Sequence, residues 1–83
     1  VLDENSGDAW LGLGMSLLAE KEYQPAIAPL KAAVRLAPEN PAGHYALATA
    51  YARTGDKQGA EREFALQQQA AQAAGSQGDK TPQ

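Results

Sequence analysis

Apolar residues recur at helical spacing along most of the chain. Trp10, Leu13 and Leu17 fall at i, i+3 and i+7 and therefore share one stripe of a helix. A second apolar stripe on the same segment consists of Leu11, Met15 and Leu18. A helix that is apolar on two sides must be covered on two sides. A single helical hairpin covers only one of them, so the pattern predicts that a further element packs on this first helix.

Local signals divide the chain into four helices. Ser6, Asn40 and Asp56 are favourable N-cap residues because a side-chain oxygen can accept a hydrogen bond from a free N–H of the first turn. Pro41 suits the first position of a helix, and Gly55 suits a left-handed C-cap. The predicted helices span residues 7–20, 23–37, 41–54 and 57–74.

Two further residues affect the predicted helices. Pro29 lies beyond the first turn of the second helix and removes the hydrogen bond to the carbonyl of Pro25. A slight bend or a local 3₁₀ turn is therefore expected there, on the outward side of the helix. Gly75 is expected to end the fourth helix, and the polar tail 75–83 is expected to be disordered.

Composition narrows the range of functions. The chain of 83 residues has a net charge of -3, and its seven Lys and Arg are scattered, so a nucleic-acid surface is not expected. It contains no cysteine, which excludes a disulfide and a cysteine-ligated zinc. No apolar run reaches the roughly 20 residues of a membrane span. Neither a membrane, a metal nor a cofactor is expected, and the sequence does not specify a compartment.

The second half of the chain repeats the layout of the first half at an offset of 34 residues. Leu13 aligns with Leu47, and the small residue Gly14 aligns with Ala48. Further aligned pairs are Leu17 with Tyr51, Ala26 with Ala60 and Leu30 with Phe64. Small residues recur where helix backbones must approach each other closely. A period of this length predicts stacked helical hairpins.

Both copies resemble the tetratricopeptide repeat (TPR), whose pattern is W-x₂-L-G-x₂-Y, then A-x₃-F, then P. The first copy matches it with Trp10, Leu13, Gly14, Leu17, Ala26, Leu30 and Pro38. The second copy matches it with His44, Leu47, Ala48, Tyr51, Ala60 and Phe64. It departs from the first copy afterwards, with Gln67 in place of Ala33 and Gln72 in place of Pro38. Pro38 is expected to stop the second helix, and the other matching residues are expected to pack within and between the repeats.

The resemblance implies an all-α fold in which antiparallel helical hairpins stack as a right-handed superhelix. It assigns residues 7–40 to a first repeat and residues 41–74 to a second repeat. Residues 1–6 are similar to residues 35–40 and are expected to be the tail of a preceding repeat. The chain is therefore expected to be a piece of a longer array.

In this family, partners usually lie in a concave groove lined by the first helix of each repeat. Carried onto this chain, the groove residues are Leu11, Met15, Leu18, Tyr45, Thr49 and Arg53, with Asp8, Ala19, Ala42 and Ala52 beside them. Some members grip a peptide carboxylate with Lys and Asn from this face, and those residues are absent here. The resemblance therefore implies a scaffold that binds a peptide or helix of another protein in a largely apolar groove.

An enzyme is not expected. Ser6 and Ser16 have no nearby base, and the glycines match no phosphate-binding loop. The acidic residues stand at turns and caps.

The stripe of Leu11, Met15 and Leu18 has an alternative interpretation. In this alternative it packs against an upstream repeat or another subunit, so that the chain is a structural self-association module. Two repeats are fewer than the roughly three that such arrays need for stability. A homodimer is therefore expected for the isolated chain. A third alternative is a simple four-helix bundle in which the first helix packs on the fourth.

The remaining polar candidates have structural interpretations. His44 occupies the position of Trp10 and is expected to pack between repeats rather than to bind a ligand. Glu61, Arg62 and Glu63 are expected to form a solvated helix face.

Overall fold

The computed structural model describes residues 5–78, with the side chains of residues 5–73, and this part of the chain forms four α-helices and no strand. The helices are α1 (Gly7–Ala19), α2 (Tyr23–Leu36), α3 (Pro41–Thr54) and α4 (Lys57–Gly78). The first three agree with the predicted helices to within one residue at each end. No helix in this range combines the length and the apolar character needed to cross a bilayer.

Three side-chain caps fix the starts of α1, α3 and α4. Ser6, Asn40 and Asp56 accept hydrogen bonds from the backbone N–H groups of Ala9, Ala42 and Gly59, at 3.2, 3.0 and 2.9 Å. Each cap satisfies one of the N–H groups that a helix leaves unpaired in its first turn. These starts were predicted because the signals that set them lie within four residues of sequence.

The turns inside the two hairpins share one backbone geometry. Lys21 has a φ of 63° and Gly55, which occupies the same position one repeat later, has a φ of 92°. At both turns the N–H of the next residue donates to the carbonyl oxygen five residues back, at 2.8 Å for Glu22 and 2.9 Å for Asp56. This is the hydrogen-bond pattern of a Schellman motif. Gly55 adopts the left-handed conformation without strain, whereas Lys21 does so at a cost.

The prediction for the end of α4 is wrong. The helix continues through Gly75 to Gly78, so residues 75–78 are helical rather than a disordered tail. A single glycine costs a helix only about 1 kcal/mol relative to alanine, and the surrounding Ala and Gln residues favour a helix. The rest of the predicted tail, residues 79–83, lies outside the described residues.

The prediction that Pro29 lies on the outward side of the second helix is wrong, and the local 3₁₀ turn, one of the two predicted alternatives, is absent. Residues 23–36 are α-helical throughout, with no 3₁₀ turn, and Pro29 is buried rather than on the outward side. Its apolar ring adds to the packed face of α2, and burial of that ring favours this orientation.

The helices pack as two hairpins placed side by side. α1 packs on α2, α3 packs on α4, and the hairpins meet mainly through α2 and α3. Leu30 and Leu47 are the largest fully buried side chains, exposed by 0% and 1%. The core around them also contains Ala26, Ala46, Ala50, Tyr51 and Ala60. Within the described residues α1 and α4 make no contact, which excludes the four-helix bundle.

Candidate functional site

The first helices of the two hairpins, α1 and α3, contact each other, and each exposes a large apolar side chain. Met15 on α1 is 47% exposed and Tyr45 on α3 is 55% exposed. Both belong to the groove set predicted from the sequence. The residues predicted beside the groove are also exposed: Asp8, Ala19, Ala42 and Ala52. Apolar atoms on this surface are therefore open to a partner.

Leu11 and Leu18 differ from Met15 in their surroundings. Both are half-buried and pack against the central core. The sequence interpretation gave the whole Leu11, Met15 and Leu18 stripe no partner within the chain, and for Leu11 and Leu18 that is wrong. Packing of α1 against the core covers part of the stripe, a tertiary effect that helical periodicity cannot show.

Two polar residues of the predicted groove set, Thr49 and Arg53, follow Tyr45 on α3. Thr49 is half-buried, and its hydroxyl donates to the Tyr45 carbonyl oxygen at 3.0 Å. Arg53 is exposed, and its guanidinium carbon lies 5.5 Å from the ring centroid of Tyr23 at the start of α2. This distance is within range of a cation–π contact. The aromatic ring holds the arginine near the surface while leaving its N–H groups able to donate.

An aromatic pair joins the two helices of the second hairpin. The rings of Tyr45 on α3 and Phe64 on α4 are tilted by 57° with centroids 5.9 Å apart. Tilted aromatic pairs at this distance are attractive beyond their apolar area. Phe64 is itself 38% exposed, so the pair forms a continuous aromatic patch on the surface.

The residues predicted to pack fall into three groups. Gly14, Ala26, Leu30, His44, Leu47, Ala48, Tyr51 and Ala60 are buried. Trp10 and Leu17 are half-buried. Leu13 and Phe64 are 40% and 38% exposed, so each keeps part of its side chain at the surface.

His44 and Glu63 form a buried pair between α3 and α4. Both residues are only 6% exposed. The His44 Nδ1 atom lies 2.8 Å from Oε1 of Glu63, and Nε2 lies 2.8 Å from the carbonyl oxygen of Pro38. The other Glu63 oxygen is 3.6 Å from Nε of Arg62. The prediction of a solvated face is therefore wrong for Glu63, whereas Glu61 and Arg62 are exposed.

Both imidazole nitrogens of His44 therefore have a partner. The Pro38 carbonyl oxygen can only accept, so His44 Nε2 donates to it. His44 Nδ1 and Oε1 of Glu63 share the second hydrogen bond, which joins α3 to α4. Neither buried side chain is left with an unsatisfied polar atom.

Sequence reasoning missed Glu63, although the repeat offset contains a signal for it. The offset that places His44 at the position of Trp10 places Glu63 at the position of Pro29. Both positions are apolar in the first repeat and polar in the second. Joint replacement of two apolar residues by a histidine and a carboxylate is a recognisable sign of a buried pair.

A cleft of about 540 Å³ lies beside this pair. Its walls are the α2–α3 turn, His44 and the second half of α4, and its lining residues are Pro38, Glu39, His44, Leu66, Gln69, Ala70 and Ala73. Within the described residues, no group of three or more His, Cys, Asp or Glu side chains is placed to hold a metal ion.

Comparison with protein families agrees with this geometry. A family model described as "TPR repeat" matches residues 14–55, which is half of the chain. The chain therefore belongs to the TPR repeat family. Repeats of this family generally mediate interactions between proteins. The search of curated proteins found no matching sequence.

A solved structure shows the same fold. The chain is similar to one titled "MamA MSR-1 C2", with a TM-score of 0.76 and 23% sequence identity. The aligned region covers 84% of the present chain and 40% of the MamA chain. At this identity the similarity concerns the arrangement of the helices. The present chain therefore spans less than half the length of that protein.

Proposed function

We propose that the chain is part of a protein-interaction scaffold that binds an apolar segment of another protein along α1 and α3. The observation that carries this proposal is the exposure of Met15 and Tyr45, one on the first helix of each repeat. Leu11 and Leu18 are half-buried against the core, and their exposed parts add to the apolar surface of α1. This exposed set lies on the helices from which the family usually binds its partners.

The side chains on this surface favour a partner with both apolar and polar groups. Methionine adapts its shape to irregular apolar surfaces, and tyrosine provides a rigid contact area with a polar end. Thr49 and Arg53 lie on the same helix as Tyr45, and arginine N–H groups can pair with a carbonyl or a carboxylate of the partner. An amphipathic helix or an extended peptide with spaced apolar residues satisfies these requirements.

The contribution of the fold is to hold the two contact residues in fixed relative positions. Met15 and Tyr45 lie on different hairpins, whose packing through α2 and α3 sets their separation. The partner then does not have to order the binding surface, which lowers the entropy cost of association. Selectivity arises from the shape of the stacked hairpins rather than from a chemical reaction.

Peptide selection on the folded chain tests the proposal. Peptides from a displayed random library are selected on the wild-type chain, and their affinities are measured by fluorescence anisotropy. Met15→Asp and Tyr45→Ala should each weaken binding by about tenfold or more, because central apolar contacts carry most of the energy of such interfaces. Leu36→Asp is the matched control, since Leu36 is 36% exposed but lies on α2.

Circular dichroism confirms that each variant remains helical before its affinity is compared. Selected peptides that bind the Met15 and Tyr45 variants as tightly as the wild type would contradict the proposed surface. Loss of binding in the Leu36 variant alone would place the site on α2 instead.

A further inference from the structure

The three tyrosines of the chain differ in their contacts with basic side chains. The guanidinium carbon of Arg53 lies 5.5 Å from the ring centroid of Tyr23, and that of Arg62 lies 5.9 Å from the centroid of Tyr51. Tyr45 is the most exposed of the three, at 55%, and no basic side chain of the described residues makes this contact with it. An aromatic ring that can attract a cation is therefore open to a partner in the proposed groove.

Tyr45 shares its exposed surface with Phe64 of α4. The two ring centroids are 5.9 Å apart, and 38% of Phe64 is open to solvent. The faces of aromatic rings carry partial negative charge, and a cation within about 6 Å of a ring centroid is attracted to it. Because the two centroids are themselves this close, one cation can lie within range of both rings. The pair therefore offers more to a cation than either ring alone.

A carboxylate without an ion-pair partner lies beside the aromatic pair. Glu61 precedes Phe64 by three residues on α4, a spacing that places two side chains next to each other on a helix surface. Glu61 is exposed, and the ion pairs formed within the described residues belong to Glu63 instead, so that Lys57, one turn before Glu61, does not pair with it. We define Tyr45, Phe64 and Glu61 as the cation site. Two aromatic rings and a carboxylate attract a positive charge and repel a negative one.

A group of the opposite charge lies further along the same groove helix. Arg53 follows Tyr45 by eight residues on α3, which is about 12 Å along the helix axis at about 1.5 Å per residue. A basic residue of a partner is repelled at the Arg53 end and attracted at the cation site. The position of a positive charge in the partner therefore determines where the partner segment lies along α3.

We propose that the partner of this groove carries a lysine or arginine that binds the cation site. This requirement rests on the proposed function, because Tyr45 belongs both to the groove and to the cation site. It adds what an apolar groove alone does not demand, a positive charge at a fixed spacing from the apolar residue that contacts Met15. The net charge of -3 on the chain favours the approach of a basic segment over that of an acidic one.

Peptides selected on the wild-type chain from the displayed random library test the inference. One position of their sequences should carry Lys or Arg at a fixed spacing from an apolar residue. Selection on the double variant Glu61→Gln, Phe64→Leu should lose this preference. A fluorescein-labelled copy of the tightest-binding peptide then serves as the probe. Replacement of its basic residue by Gln should weaken binding to the wild type by about fivefold or more, which one cation–π contact together with an exposed ion pair can supply.

Substitutions in the chain assign this effect to the cation site. On the double variant the same replacement in the peptide should cost about twofold or less, because the groups that attract the cation are gone. On Glu61→Gln alone and on Phe64→Leu alone the cost should be intermediate. Glu20→Gln is the matched control, since Glu20 is also exposed and its loss changes the net charge equally, but it lies at the end of α1. Circular dichroism confirms the helicity of each variant, and the exposed position of Glu61 keeps the test valid if Phe64→Leu unfolds.

Three results would overturn the inference. The first is a set of groove-binding peptides without a preference for Lys or Arg, in which an apolar side chain occupies the aromatic pair. The second is a basic residue whose replacement costs as much on Glu61→Gln and on the double variant as on the wild type. The third is an equal reduction of that cost by Glu20→Gln, because net charge would then explain the preference. Failure of the proposed function has a different signature, since binding then survives Met15→Asp and Tyr45→Ala whichever residue the peptide carries.

Discussion

His44 and Glu63 are joined by a contact of 2.8 Å between an imidazole nitrogen and a carboxyl oxygen, both in side chains removed from solvent. The second imidazole nitrogen is occupied by the carbonyl oxygen of Pro38. One pair of side chains thereby links α4 to α3 and to the turn that leads into α3. The pair occupies the positions that Trp10 and Pro29 hold in the first repeat, so two polar side chains stand where the first repeat has two apolar ones.

Removal of the Glu63 carboxyl group should be costly because it leaves the buried Nδ1 atom of His44 without a hydrogen-bond partner. Glu63→Ala is expected to lower the free energy of unfolding by about 1–3 kcal/mol. Glu61→Ala, two residues away on the exposed face, should change it by less than about 0.5 kcal/mol. Urea denaturation of both variants makes the comparison. Similar small losses for the two would show that the carboxylate of Glu63 is hydrated in solution.

The left-handed turn residues offer a paired test of backbone strain. Lys21→Gly should stabilise the chain by about 0.5–1 kcal/mol, since glycine accepts the positive φ of this position. Gly55→Lys makes the reverse change at the same position of the second repeat and should destabilise by a comparable amount. Thermal unfolding followed by circular dichroism measures both. A destabilised Lys21→Gly variant would indicate that the lysine side chain contributes more than the strain costs.

Features encoded within a few residues could be predicted from the sequence. The caps at Ser6, Asn40 and Asp56 and the C-cap at Gly55 each depend on near neighbours, and the boundaries they set were predicted well. The repeat period then gave the order in which the hairpins pack. The end of α4 was missed because Gly75 is a weak local stop within a run of good helix formers.

Features that depend on contact between helices could not be predicted in the same way. Glu63 lies two residues from Glu61, and its approach to His44, 19 residues away in the sequence, distinguishes the two. The half-burial of Leu11 and Leu18 likewise depends on how α1 packs against the core. In both cases the deciding partner is on another helix, which a single helical stripe does not identify.

Gly14 and Gly12 show how the same residue type has opposite roles two positions apart in α1. A Cβ atom on Gly14 would overlap with Cδ2 and Cγ of Leu30, a side chain with no exposed surface. Leu30 cannot move away without disturbing the core, so Gly14→Ala should destabilise the chain by about 1–3 kcal/mol, despite the higher helix propensity of alanine. Gly12 has no neighbour within 4 Å, so Gly12→Ala should stabilise it by about 0.5–1 kcal/mol. Urea unfolding of the two variants compares them directly, and stabilisation by both substitutions would mean that α1 and α2 lie further apart at this point than the contact with Leu30 requires.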